Sequence, residues 1–365
     1  MADDFGYHID HHGSLVRPAP LLAARASGLS ADALAGVTDE AVITLAHELR
    51  RLTLNAMCDG QFRRAYLESV VHDQVAGFAP VTGPAPLADL AGIAASRLRA
   101  VPDAAALAVS GRLAKAEAAP VLASVDRSVF VALPSPGYLA AAGSALSSPA
   151  DIDAVRAAGA ALAAIIQDEI AALAVDGVMF VPLENPLYAP LLTVDGRAAA
   201  AAAGIDVNAA LAALIATDRA VFAGLDVPAD FRVGLDLTDA GPLPTTASGY
   251  DATAVAQLLD ETPFPRFSID YPENPATRFP VELVKPGIVV SLGAVDVATP
   301  ALETVDALLD RIDPIAEERG DADIAVATNG GFAQVADNPL MTAAEQRAKL
   351  QLVEVVARYY WGNEI

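Results

Sequence analysis

The chain has 365 residues, 54% of them apolar, which is enough to bury a large core. Its 46 acidic residues against 23 basic ones leave a net charge of −23, which repels a nucleic-acid backbone. A single cysteine, Cys58, excludes a disulfide framework and a cysteine-based structural zinc site.

No uncharged apolar run approaches the roughly 18 residues that cross a bilayer. The acidic start MADDFGYHID lacks a basic-then-apolar leader. The expectation is a cytoplasmic protein with a small-molecule substrate, no nucleic-acid partner and no membrane span. The aromatic run Tyr359, Tyr360, Trp361 reads as helix packing, and the oligomeric state is not set by the sequence.

Along the chain, short apolar runs end in polar clusters and are followed by helical patterns. The opening stretch DHHGSLVRP (10–18) comes first. TDEAVITLAHELRRLTLNAM follows, with Thr38 as a candidate helix cap, and leads into CDGQFRR (58–64). Section 65–127 breaks the rhythm and reads as an insertion with helical pieces such as LADLAGIAASRLRAV. SVFVALPSP (128–136) then precedes an Ala-rich helical region, and VDGVMFVPLENP (175–186) precedes NAALAALIATDRAVFAG. FRVGLDLTD (231–239), PRFSIDYPE (265–273), GIVVSLGAVD (287–296) and ADIAVATNGGF (322–332) complete the strand candidates.

Eight strand candidates alternating with helices call for parallel pairing. The fold expected is a single (β/α)8 barrel over 1–365, with an inserted helical segment at about 65–127 after the second strand. A doubly wound open sheet is the alternative, but no glycine-rich phosphate fingerprint follows the first strand. In a barrel the polar residues at the strand ends line the C-terminal mouth. They are His11, His12, Ser14, Asp59, Gln61 and Ser135 from the first half. Glu184, Asn185, Asp236, Thr238, Asp239, Asp270, Glu273, Asp296 and Asn329 come from the second. Adjacent side chains of an extended segment point to opposite faces, so one of His11 and His12 is expected in the pocket.

The order of DHHGSLVRP, DGQFRR, LPSP, PLENP, SLGAVD, GGF and the ending QRAKLQLVEVVARYYWG resembles the cobalamin-independent methionine synthase family. The likeness is to the short proteins that match only its C-terminal catalytic barrel. The resemblance independently implies the eight-stranded barrel. It also implies a zinc ion at the mouth that turns a homocysteine thiol into a thiolate, the acceptor of a methyl group from a folate. The family's zinc ligands are a His and a Cys two apart after the fifth strand, a Glu after the sixth and a Cys after the eighth. Carried over, they fall on Asp236, Thr238, Asp270 and Gly330, and no histidine occurs after His72. A zinc-thiolate site is therefore not expected at the family's location. Ser14 retains the family's Gly-Ser contact to a substrate carboxylate, Gln61 replaces an acidic partner of the substrate ammonium, and Glu184 retains a second one. Matching only the barrel of full-length synthases leaves a folate donor open.

Several chemistries fit this residue set. A transferase-like enzyme on a small sulfur- or amino-bearing substrate would use Cys58, His11 or His12 to activate its nucleophile. Asp236, Asp270 and Glu184, with or without Asp239, suit Mg2+ or Mn2+, and a histidine added to two carboxylates suits Fe2+. Clustered carboxylates also suit metal-free acid–base work on a small acid. A binding protein that lost its chemistry is the fourth reading. The roles expected are Asp236, Asp270, His11 and His12 in catalysis, with Ser14, Asp59, Gln61, Glu184, Asn329 and Arg17 contacting substrate.

Overall fold

A computed structural model describes residues 8–238 and 249–362. Its centre is a parallel sheet of apolar strands buried along their length, as expected for strands covered on both faces. The strands are β1 (Ala56–Met57), β2 (Ser128–Val129), β3 (Leu133–Pro134), β4 (Phe180–Glu184), β5 (Arg232–Asp236), β6 (Arg266–Asp270), β7 (Val289–Val295) and β8 (Ile324–Thr328). Strands β3 to β8 form one six-stranded sheet in sequential order, and β1 pairs with β2. Parallel bridges continue the series from Phe130 to Phe180 and from Val326 to Ile9. The opening segment meets the second strand segment through a Leu15 N–H donated to the Gly60 carbonyl at 3.1 Å. Every strand candidate of the sequence thus lies in this parallel series, the first as the single bridge at Ile9.

Helices cover the strands as the pattern predicts. Ser148 and Asp151 form a capping box on Pro149–Asp176, Asp251 caps Ala252–Glu261, Thr304 caps Val305–Arg319, and Thr342 with Glu345 caps Ala343–Trp361. Pro149–Asp176 is long and apolar enough to cross a membrane by composition. One face of it, with Ile152, Val155, Leu162, Ile166 and Leu173, is buried in the core. At the end of the last helix, Trp361 stacks on His8 with ring centres 4.4 Å apart and Tyr360 donates to Asp313 at 2.6 Å, whereas Tyr359 is exposed.

Two expectations are corrected. A short helix, Ala19–Ala26, follows the opening segment, and the helix that carries Thr38 starts at Ala31 under a Ser30 cap, because the Ala-rich stretch before Thr38 already supports helix; the Thr38 hydroxyl instead donates back to Leu34 O at 2.7 Å. In the insertion, LADLAGIAASRLRAV is α-helical only at its start, where it completes the short helix Pro86–Leu90, and makes a single 3-10 turn at Ala95–Arg97. Gly92 adopts a left-handed φ of 68°, which ends the turn, and Arg99–Ala100 then pairs antiparallel with Ala79–Pro80. A second antiparallel ladder joins Val75–Ala76 to Ala108–Val109.

An ion pair crosses the interior. Arg266 of β6, 1% exposed, donates to Asp10 at 2.9 Å and lies over the Phe180 ring. Gly234 leaves the room: a Cβ there would stand 2.9 Å from that ring. Burial favours the neutral acid at Asp10, but the Arg266 charge and hydrogen bond, joined by the charges of His12 and His11, outweigh it and hold the carboxyl below its ordinary range. Replacing Arg266 by Ala leaves a buried carboxylate uncompensated, and urea titration is expected to show a loss of about 3–5 kcal/mol.

Candidate functional site

Parallel strands end together, so the residues that close them meet at one end of the sheet. Glu184 closes β4 and Asp236 closes β5, and the two are direct register partners. The opening segment crosses the same end and brings His12 and Ser14. These four residues line a cleft of about 330 Å3, mouth included, with Leu67, Asn185, Pro186, Thr238, Gly331 and Gln334. Gly331 is required here, because a Cβ would stand 2.7 Å from that of Ser14.

His12 decides the electrostatics. Its Nδ1 is 2.6 Å from Asp236 Oδ2 and its Nε2 is 2.8 Å from the Thr328 carbonyl. A carbonyl only accepts, so Nε2 carries a proton, and the carboxylate beside Nδ1 favours a second one. Burial disfavours the charged ring, yet the Asp236 charge and hydrogen bond outweigh it and raise His12 to about 9. The ring is thus an imidazolium with both N–H groups engaged, and no lone pair is left to serve as a base. Asp236 is fixed in turn: its Oδ1 accepts the Thr238 amide at 2.9 Å and the Thr238 hydroxyl at 2.6 Å.

Glu184 is the cleft's titratable acid. Burial and the neighbouring Asp236 charge push it up to about 7, against the pull of Arg64 and His12. Gln61 donates its side-chain amide to Glu184 at 3.3 Å. An acid at position 61 would instead set two carboxyl groups against each other, which is a physical reason for the amide. Gln61 holds a left-handed φ of 54°, with its amide bonded to Asp59 at 2.9 Å and its carbonyl to Arg17 at 2.7 Å. The Ser14 hydroxyl, 4% exposed and in the cleft lining, has no hydrogen-bond partner among the described residues.

Other expected contacts lie outside the cleft lining. His11 points away from it, its Nε2 donating to the Ala56 carbonyl at 3.1 Å and its ring edge-on to Phe130. Burial holds it neutral, down to about 4. Arg17 spends its guanidinium on the carbonyls of Leu15, Gln61, Arg64 and Ala333, so it braces the opening segment. Asp59 is buried behind the cleft and pushed up to about 7 by burial and by Glu117. Cys58 is buried and its thiol raised well above the ordinary value, chiefly by burial, which suits a packed thiol rather than a nucleophile. Asp270 is half-buried at the end of β6, in register with Gly293. Asn329 serves its own loop, accepting from Val297 N at 2.9 Å and donating to Asp296 at 3.2 Å. Asp239 lies outside the described residues. Among those described, no group of three or more His, Cys, Asp or Glu side chains is placed to hold a metal ion.

Two supports were not singled out from the sequence. Asp218 lies in the last turn of the helix Val207–Arg219, fully buried, and gathers Asn185 Nδ2 at 2.9 Å, the Gly137 amide at 2.7 Å and the Tyr188 hydroxyl at 3.1 Å. It holds the cleft residue Asn185 in place. Glu117, in the insertion, binds Arg64 through both oxygens at 2.8 and 2.6 Å. An acid within an apolar helix was the available signal for Asp218; for Glu117 there was none.

No known protein family matches the sequence, and no curated protein does. Solved structures do match. A putative vitamin-B12 independent methionine synthase from Listeria monocytogenes superposes with a TM-score of 0.68 at 17% identity, covering 98% of each chain. A B12-independent methionine synthase from Shewanella sp. W3-18-1, solved in complex with selenomethionine, gives 0.72 at 16% identity, covering 97% of this chain and 98% of that one. The protein therefore has a mixed α/β fold with a parallel sheet, shared along nearly its whole length with B12-independent methionine synthase structures.

The His12–Asp236 pair makes stability depend on pH. The folded-state value of His12, about 9, exceeds the ordinary 6.5, so its contribution is complete below pH 6.5 and is lost as pH rises through 9. Urea midpoints of the wild type are expected to fall between pH 6.5 and 9.5, by on the order of 3 kcal/mol at most from this group. In Asp236→Asn the His12 part of that slope disappears.

Proposed function

We propose that the protein is a methionine-synthase-like enzyme whose strands close as a (β/α)8 barrel carrying the insertion at about 65–127. Its substrate is a small polar molecule bearing a sulfur or amino group, and its reaction is of the methyl- or alkyl-transfer type without a zinc-thiolate step. The observation that carries this reading is the His12 imidazolium held by Asp236 in the cleft. Asp236 stands where the resemblance puts the first zinc ligand, but its carboxylate is committed to His12 and Thr238. Thr238 and Gly330 supply no thiolate, so the residues do not fit that metal site.

The cleft suits a zwitterion. Glu184, ionised above about pH 7, faces a substrate ammonium, and the unpartnered Ser14 hydroxyl donates to its carboxylate. A thiol placed between them is favoured as a thiolate by the nearby imidazolium, with Glu184 receiving the proton. The adjacent Glu184 and Asp236 also favour a second reading, metal-free acid–base catalysis of elimination or isomerisation on a small acid. Turnover assays on thiol, thioether and hydroxy-acid panels separate these from a non-catalytic binder.

Calorimetry with homocysteine, methionine and selenomethionine tests the site. Binding of at least one is expected, unchanged by chelators and weakened about tenfold or more in Glu184→Gln, or about 1.4 kcal/mol. Binding that is abolished by a chelator and restored by zinc would overturn the proposal. A thermal-shift screen with Mg2+, Mn2+ and Fe2+ is expected to show no stabilisation that depends on Asp236. Such a stabilisation, lost in Asp236→Ala, would establish the hard-metal alternative.

A further inference from the structure

A second, shallow cleft, of about 190 Å3 with its open mouth included, lies beside the segment that supplies Leu67 to the first. It is lined by the next residue, Glu68, with His72, Arg97, Arg99, Tyr138 and aliphatic neighbours. Nothing in the reaction proposed above uses it.

Its charges are arranged unusually for so acidic a protein. Glu68 is neutralised within the wall: Arg97 holds it through Nη2 at 2.9 Å, and the Tyr138 hydroxyl donates to it as well. Arg97 Nη1 has no hydrogen-bond partner among the described residues. Arg99 spends only Nη1, on the carbonyls of Ser96 and Leu98, which leaves its Nε and Nη2 without a partner there. His72 packs edge-on against Phe78, and its buried Nδ1 is likewise unpartnered. With Arg97 and Glu68 cancelling, the wall carries the net positive charge of Arg99.

We propose that this second cleft binds a small anion, a carboxylate or phosphate group, between the Arg99 guanidinium and the His72 imidazole, with Arg97 Nη1 as a further donor. Arg97, Arg99 and His72, each with an unused donor group, line this one cleft, and Arg binds both kinds of anion through its planar fork. The state of His72 agrees. Burial and then the Arg99 and Arg97 charges lower it to about 4, so the field at the ring is cationic in a protein of net charge −23. A bound anion reverses that field and lets the ring accept a proton and donate it.

The test is an NMR titration of the His72 ring in the intact protein, with acetate, succinate and inorganic phosphate as probes and chloride at matched ionic strength as control. Binding is expected to raise the His72 pKa by about one unit or more, tenfold in its protonation constant. The effect is expected to vanish in Arg99→Gln, a partly exposed position where folding is retained, while the signals of His12 stay in place. A response to acetate and succinate alone assigns a carboxylate ligand, and a response to phosphate alone assigns a phosphate. A His72 titration no different from the chloride control with all three anions, or a shift of equal size in Arg99→Gln, overturns the proposal. Because the probe reads His72 rather than His12, its failure is distinct from failure of the function proposed above.

Discussion

The contact between His12 and Asp236 is the constraint on which the working end of this protein depends. It ties a segment at the start of the chain to the end of β5, 224 residues later, and it settles the charge of both groups. With His12 protonated, the next acid in register, Glu184, is pushed toward neutrality by its burial and by the neighbouring Asp236 charge. Gln61 then supplies the neutral donor that Glu184 needs, and its left-handed backbone is held by Asp59 and Arg17. The opening segment, the loop after β1 and the ends of β4 and β5 are therefore one electrostatic unit.

The same physics runs through the rest of the molecule. An acidic chain that buries carboxyl groups must give each one a cation, a set of donors or a proton. Asp10 receives Arg266, Glu117 receives Arg64, Glu68 receives Arg97, and Asp218 receives amide and hydroxyl donors. Burial still leaves Asp218 raised to about 6 and Glu68 raised as well, and Glu184 and Asp59 are both raised to about 7. Of these two, Glu184 opens on the cleft, which makes it the acid–base group accessible to a substrate.

Much of this was legible from local pattern. Short apolar runs closed by PLEN and LDLT placed Glu184 and Asp236 at strand ends, and parallel pairing brought them together. Alternation along an extended segment allowed only one of the two histidines into the cleft; which one depends on the bridge at Ile9, a long-range contact. The role of that histidine was not legible. A ring can act as a base until a carbonyl and a carboxylate occupy its two nitrogens, and Thr328 lies 316 residues away. Arg17 shows the same limit, since its carbonyl partners belong to loops that meet only in the fold. In the insertion, helical composition misled because Gly92 ends the turn and Arg97 is drawn to Glu68.

The central claim is that the fixed positive charge of the cleft is a histidine side chain. Nitrogen-detected NMR of the His12 ring measures this directly. The account predicts both ring nitrogens protonated at neutral pH, with loss of the proton near pH 9. A ring that is neutral at pH 7, with a single proton and a titration near the ordinary 6.5, would contradict it.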